Sequence, residues 1–120
     1  MPKTISKEQQ IHLDLIRLAS FNDFDGDLVV RDLMAHPDLW KACLMTRSYG
    51  PGFLITLRDL KVALNVDTLY ILVDPSKLTE LKTLSERWGA DEIVIHSGRE
   101  ASDLLGSYPS PEDVLELWWD

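Results

Sequence analysis

Thr68–Arg99 reads TLYILVDPSKLTELKTLSERWGADEIVIHSGR, and its punctuation is that of one strand–helix–strand unit. Leu69–Val73 is a continuous apolar run of strand length, the composition of a strand covered on both faces. Asp74-Pro75 then opens a helix. Leu78, Leu81, Leu84 and Trp88 form its apolar stripe, and Gly89 closes it. Asp91-Glu92 leads into a second buried strand, Ile93–Ile95. A right-handed crossover of this kind joins parallel strands and brings their C-terminal ends to one edge of a sheet. The expected fold class is therefore α/β: one domain over residues 1–120, with a helical N-terminal half packed on a small, mostly parallel sheet with crossover helices.

Working outward, Ser6 and Gln9 have capping-box spacing, and Ile11, Leu15 and Leu18 recur on one face of a helix over Lys7–Ala19. Ser20–Asp27 is a polar turn, after which Asp27 can cap a short helix, Leu28–Ala35. His36-Pro37 stops that helix. Pro37 suits the first position of a third, with Leu39, Trp40, Cys43 and Leu44 facing inward. Arg47–Gly52, up to Phe53, with two glycines around a proline, is a loop or tight turn. Phe53–Ile55 reads as a short strand, followed by a helix with Thr56 at its cap, Leu57, Leu60 and Leu64 on its face and Asn65 at its end. A strand through Phe53–Leu57 competes with that reading. Beyond the central unit, Arg99–Leu105 is a short helix stopped at Gly106, and Ser107–Ser110 is a loop. Ser110-Pro111-Glu112-Asp113 has the signature of a helix start, favouring a helix with Val114, Leu115, Leu117 and Trp118 inward. The alternative is a third strand over Val114–Trp119.

Composition limits what the chain can do. With 45% hydrophobic and 27% charged residues it is an ordinary globular protein, and its longest apolar run is too short to span a membrane. The polar opening MPKTISKEQQ lacks the apolar core of a signal peptide, which makes the cytoplasm the expected location. The single cysteine, Cys43, reads as a buried thiol. Net charge is −8 and uneven. The first sixty residues are nearly neutral, and from Asp91 onward Arg99 is the only base among eight acids. Such a surface repels phosphate backbones and anionic lipid, so neither nucleic acid nor membrane is an expected partner, while a basic protein is. Leu57–Leu72 can be laid out as a helix-turn-helix. Its second segment, TLYILV, is nevertheless apolar and β-rich without one basic side chain.

Two constellations could carry function. At the carboxyl edge of the parallel strands, Asp74 would meet His96, Ser97 and Arg99. A turn ahead of a helix, with free amides and a guanidinium, suits a phosphate or carboxylate. Asp74 and Ser97 are also natural N-caps for the helices that follow them. No catalytic residue is assigned, since adjacent residues on a strand end diverge and leave His96 badly placed to activate Ser97. The histidines at 12, 36 and 96 have no ligand spacing, so no metal or other cofactor is expected. Asp23, Asp25 and Asp27 lack the glycine and closing glutamate of a calcium loop.

The second constellation is Glu112, Glu116, Trp118 and Trp119. One of two consecutive tryptophans must face away from the body, and an exposed Trp119 ringed by Glu116 and Asp120 would anchor a protein partner or a second subunit. The alternative is a tail folded back to close the core. The function expected is a non-enzymatic protein-binding or regulatory domain using this acidic, tryptophan-bearing C-terminal surface. The rival is a small-ligand protein or enzyme with an anion at Asp74, His96, Ser97 and Arg99.

Overall fold

Ser6 starts the first helix. In the computed structural model, which describes residues 5–47, 51–52, 54–106 and 111–120, its hydroxyl accepts from the Gln9 N–H at 3.1 Å and α1 runs over Lys7–Leu18. The box is not reciprocal, because the Gln9 side chain reaches instead to the Cys43 N–H, 3.0 Å away. That contact helps rotate α1 so that Leu13 and Ile16 are buried, while the expected stripe of Ile11, Leu15 and Leu18 faces outward.

A tight hairpin of β1 (Ser20–Phe21) and β2 (Phe24–Asp25) comes next, turned by Asn22 in the left-handed region that Asn tolerates. Asp25, not Asp27, caps α2 (Gly26–Ala35), accepting from the Leu28 N–H at 3.3 Å. Pro37 does open a helical turn, but it is one turn of 3-10 helix, Pro37–Leu39. The chain then enters a strand, β3 (Ala42–Thr46), rather than the rest of a third helix. The apolar run ACLM fits either period, and pairing with a neighbouring strand decides between them.

After β3 comes α3 (Ile55–Asp59), a short helix whose Leu57, with Leu60 just beyond, is exposed. Thr56 does not cap it; its hydroxyl donates to the Asn65 carbonyl at 2.7 Å. Phe53, the start of the expected strand, lies outside the described residues, as does the Ser107–Ser110 loop.

The central unit contains β4 (Thr68–Val73), a 3-10 turn at Pro75–Lys77, and α4 (Leu78–Ser85). A further turn at Glu86–Trp88 ends at left-handed Gly89, before β5 (Glu92–His96). Asp74 caps its helix as expected, accepting from the Ser76 N–H at 2.9 Å. α5 (Gly98–Leu105) then leads to β6 (Asp113–Trp118), which is strand and not helix.

That last strand overturns the expected topology. The sheet order is β3-β4-β6-β5 and every neighbouring pair is antiparallel. β4 and β5 do run the same way, but β6 lies between them and pairs with both. The crossover is therefore split, and the mostly parallel sheet is replaced by a four-stranded antiparallel one. The physical reason lies in the pairing of β6. Leu115 and Leu117 point to one face against Ile71 and Leu69, and Val114, Glu116 and Trp118 point to the other. Helical spacing would also give Val114, Leu115, Leu117 and Trp118 a common face, so pairing with both β4 and β5 is what decides for a strand.

The two faces of the sheet are treated differently. Cys43, Met45, Leu69, Ile71, Leu115 and Leu117 join Leu13, Ile16, Val29, Val30, Leu33, Leu81 and Trp88 in one core beneath α1, α2 and α4. Buried Asp32 on α2 fastens this layer, accepting from Trp88 Nε1 at 2.8 Å and from Arg87 Nε at 2.9 Å. The opposite face holds Leu44, Tyr70, Leu72, Val114, Glu116 and Val94. Among the described residues, only short α5 crosses it, burying Ala101.

Candidate functional site

The expected anion site is taken apart by the intervening strand. Two strand spacings, roughly 10 Å, separate the ends of β4 and β5. Asp74 spends its carboxylate on the backbone and hydroxyl of Ser76, bonds that hold it below its ordinary pKa. Its electrostatic neighbour is Asp113, the cross-strand partner of Val73 on β6. Burial, and then the charge of Asp74, push the Asp113 carboxyl upward. Two carboxylates sharing this edge oppose an anion there. Ser97 stands at the N-cap position of α5 without a capping bond from its side chain, and Arg99 is exposed on the first turn.

His96 belongs to a different arrangement. Its Nδ1 meets Glu100 on α5 and its Nε2 lies 2.9 Å from Glu116 on β6. Burial alone would lower its pKa. Hydrogen bonds to Glu100 and Glu116, with their charges, outweigh that and raise it above the ordinary 6.5. Only the imidazolium donates from both nitrogens, so protonated His96 clamps α5 onto the open face. With both nitrogens held, no ring lone pair is left for a substrate. Tyr70, the cross-strand neighbour of Glu116, has its phenol pKa raised by burial and by the charges of Glu116 and Asp67.

The tryptophans also part company. Trp119 is 1% exposed, its Nε1 donating to the Trp88 carbonyl at 3.1 Å and its ring meeting Phe24 edge-on. The exposed anchor is thereby corrected to the folded-back tail, because the buried side of the chain end is where an indole finds both apolar contact and a carbonyl. Trp118 is half-buried on the other face, and Glu112 pairs with Lys41 at 3.2 Å.

What residue patterns did not reveal is a cleft of about 410 Å³ on the open face. Its floor is Ala42, Leu44, Tyr70, Leu72 and Val114; α1 supplies Glu8, Gln9 and His12 as one wall, and Leu105 of α5 is the other. The wall on α1 is pinned by edge bonds. Gln9 accepts from the Cys43 N–H, and His12 Nε2 accepts from the Met45 N–H at 2.7 Å. Burial lowers the His12 pKa, consistent with a neutral ring whose Nδ1 carries the proton. Reading β3 as helix hid this site. The available signal was a short apolar run, ACLM, bounded by Lys41 and Arg47.

Among the described residues, no group of three or more His, Cys, Asp or Glu is placed to hold a metal ion, and no helix is long and apolar enough to cross a membrane. The chain matches no protein-family model, and comparison with curated proteins and with solved structures returned no match.

Proposed function

We propose that the protein is a non-enzymatic binding module whose open sheet face receives a basic segment of another protein, with an apolar side chain seated between α1 and α5. The observation that carries this reading is the cleft itself, an apolar floor under an open roof with Leu44 left 53% exposed. Monomeric surfaces seldom leave such a face bare without use for it. The surround is acidic: Glu8 lies in one wall, while Glu100 and Glu116 stand toward α5. Charge complementarity therefore selects lysine or arginine flanking the anchor. The rival anion reading is weakened by Asp74 and Asp113 at the edge where it needs a cation, and an acid–base role for His96 by its two carboxylate partners. Glu116 belongs to the proposed surface, whereas Trp119 does not.

The test is a methyl-resolved NMR titration with synthetic peptides alternating leucine and lysine, against counterparts with aspartate in place of lysine. Expected are shifts confined to Leu44, Leu72, Val114 and Leu105 with the basic peptide, weakened by salt and lost in Leu44→Glu but kept in Leu57→Glu. Equal response to both peptides, or none at the cleft, rejects the reading. Deleting 112–120 is no test of partner capture, because it removes the strand that pairs with both β4 and β5.

A further inference from the structure

The two edges of the sheet are not alike. On β3 the outward N–H groups of Cys43 and Met45 are occupied by side chains of α1, a common defence against unwanted strand pairing. At the other edge stands β5, with sequence EIVIH, and among the described residues nothing bonds to its outer side. Hydrogen bonding alternates along each antiparallel ladder. Since Cys43 and Met45 point away from β4, the registers put the outward backbone groups of β5 on Ile93 and Ile95. The core is also unfinished here. Ile95 shares a face with fully buried Leu115, its cross-strand partner, yet is 41% exposed because the sheet ends beside it.

We propose that β5 pairs antiparallel with β5 of a second copy, about a two-fold axis at Val94, joining two four-stranded sheets into one. This surface is separate from the cleft, and the proposal does not rest on the binding function above. The occupant is argued from self-complementarity. In that register Ile93 of each copy exchanges both backbone hydrogen bonds with Ile95 of the other, which uses the outward groups and no others. On the core side isoleucine meets isoleucine, closing the exposed end of the apolar layer. On the opposite face Val94 meets its own image, and Glu92 of one copy comes opposite His96 of the other, an acid against an imidazole that also faces Glu100 and Glu116 of its own chain.

Sedimentation equilibrium from micromolar to millimolar protein tests this. The expected weight-average mass climbs from 13.7 kDa toward twice that value. Val94→Lys is the selective variant. Val94 is 37% exposed and sits beside Glu116, so an introduced ammonium finds a partner within the copy but meets its own image across the axis. It should leave the melting temperature unchanged and hold the mass at that of one chain. Under oxidation, Val94→Cys should cross-link, since directly opposed side chains lie close at a non-hydrogen-bonded position, while Glu92→Cys, opposite His96, should not. A constant mass to millimolar concentration with Val94→Cys uncross-linked would leave the edge to a strand of another protein and overturn the proposal. So would association undiminished in Val94→Lys, or equal cross-linking from both cysteines.

Discussion

Gly26→Ala is the substitution whose cost can be worked most directly from the structure. Gly26 opens α2 at the point where it crosses α1, and its N–H donates to the Ala19 carbonyl at 3.2 Å. A Cβ placed there would lie 2.2 Å from the Ile16 carbonyl oxygen and 2.7 Å from that of Ala19. Both obstacles are backbone, so no rotamer change relieves them, and α2 must withdraw from α1. Overpacking that moves backbone costs about 3 kcal/mol. Alanine's better helix propensity returns at most about 1 kcal/mol of it.

For a domain with about 5–15 kcal/mol of total stability, a net loss near 2–3 kcal/mol lowers the melting temperature by on the order of 10 °C. Tryptophan fluorescence during thermal and urea unfolding reads this, since Trp40, Trp88 and Trp119 are buried. Gly106→Ala is the matched control. It sits at φ +71° with none of the described residues near the added methyl, so the left-handed strain of about 1 kcal/mol is the cost that applies. Should Gly26→Ala melt no lower than Gly106→Ala, the close approach of the two helices is not what requires glycine at 26.

The buried polar anchor and the two structured histidines can be tested in the same way. Asp32→Ala strands the buried Trp88 indole N–H and should cost about 1–3 kcal/mol in urea unfolding, whereas Arg87→Ala, removing a partner that is mostly in solvent, should cost under about 1 kcal/mol. Equal losses would mean that the ion pair, not the indole bond, holds α2 to the end of the crossover. His96 has its pKa raised on folding, so its contribution is complete below 6.5 and is lost as pH rises through the folded value. His12 has its pKa lowered, so its contribution is complete above 6.5 and is lost as pH falls through the folded value. Urea midpoints measured against pH should therefore lose alkaline sensitivity in His96→Gln and acid sensitivity in His12→Gln. Unchanged slopes in either variant would contradict the assigned protonation states.

The local signals in this chain were legible wherever one short stretch decides its own conformation. Ser6 and Asp74 cap as their spacing requires, Gly89 and Gly106 end their elements in the left-handed region, and Leu69–Val73 is a strand. What could not be read locally is which strand lies beside which. β4 and β5 run in the same direction whether or not another strand separates them, so the crossover pattern is the same in a parallel pair and in a split one. The helix-start signature at Pro111–Asp113 and the apolar run at Ala42–Met45 were each outweighed by pairing energy from partners distant in the chain. The orientation of α1 has the same origin, because Gln9 and His12 bond a strand edge that exists only once β3 has formed.

The candidate surfaces inherit that division. His96, Glu100 and Glu116 were visible as titratable residues, but Glu116 reaches His96 only because β6 is inserted next to β5. The cleft needs α1, β3, β4, β6 and α5 together, and no contiguous segment of the chain encodes it. By itself the sequence determined the caps at Ser6 and Asp74, the left-handed ends at Gly89 and Gly106, the Leu69–Val73 strand and the acidic charge, since these depend on neighbours a few residues away. Only the tertiary structure decided the antiparallel order, the burial of Trp119 and the cleft on the open sheet face, because each is set by contacts between residues far apart along the chain.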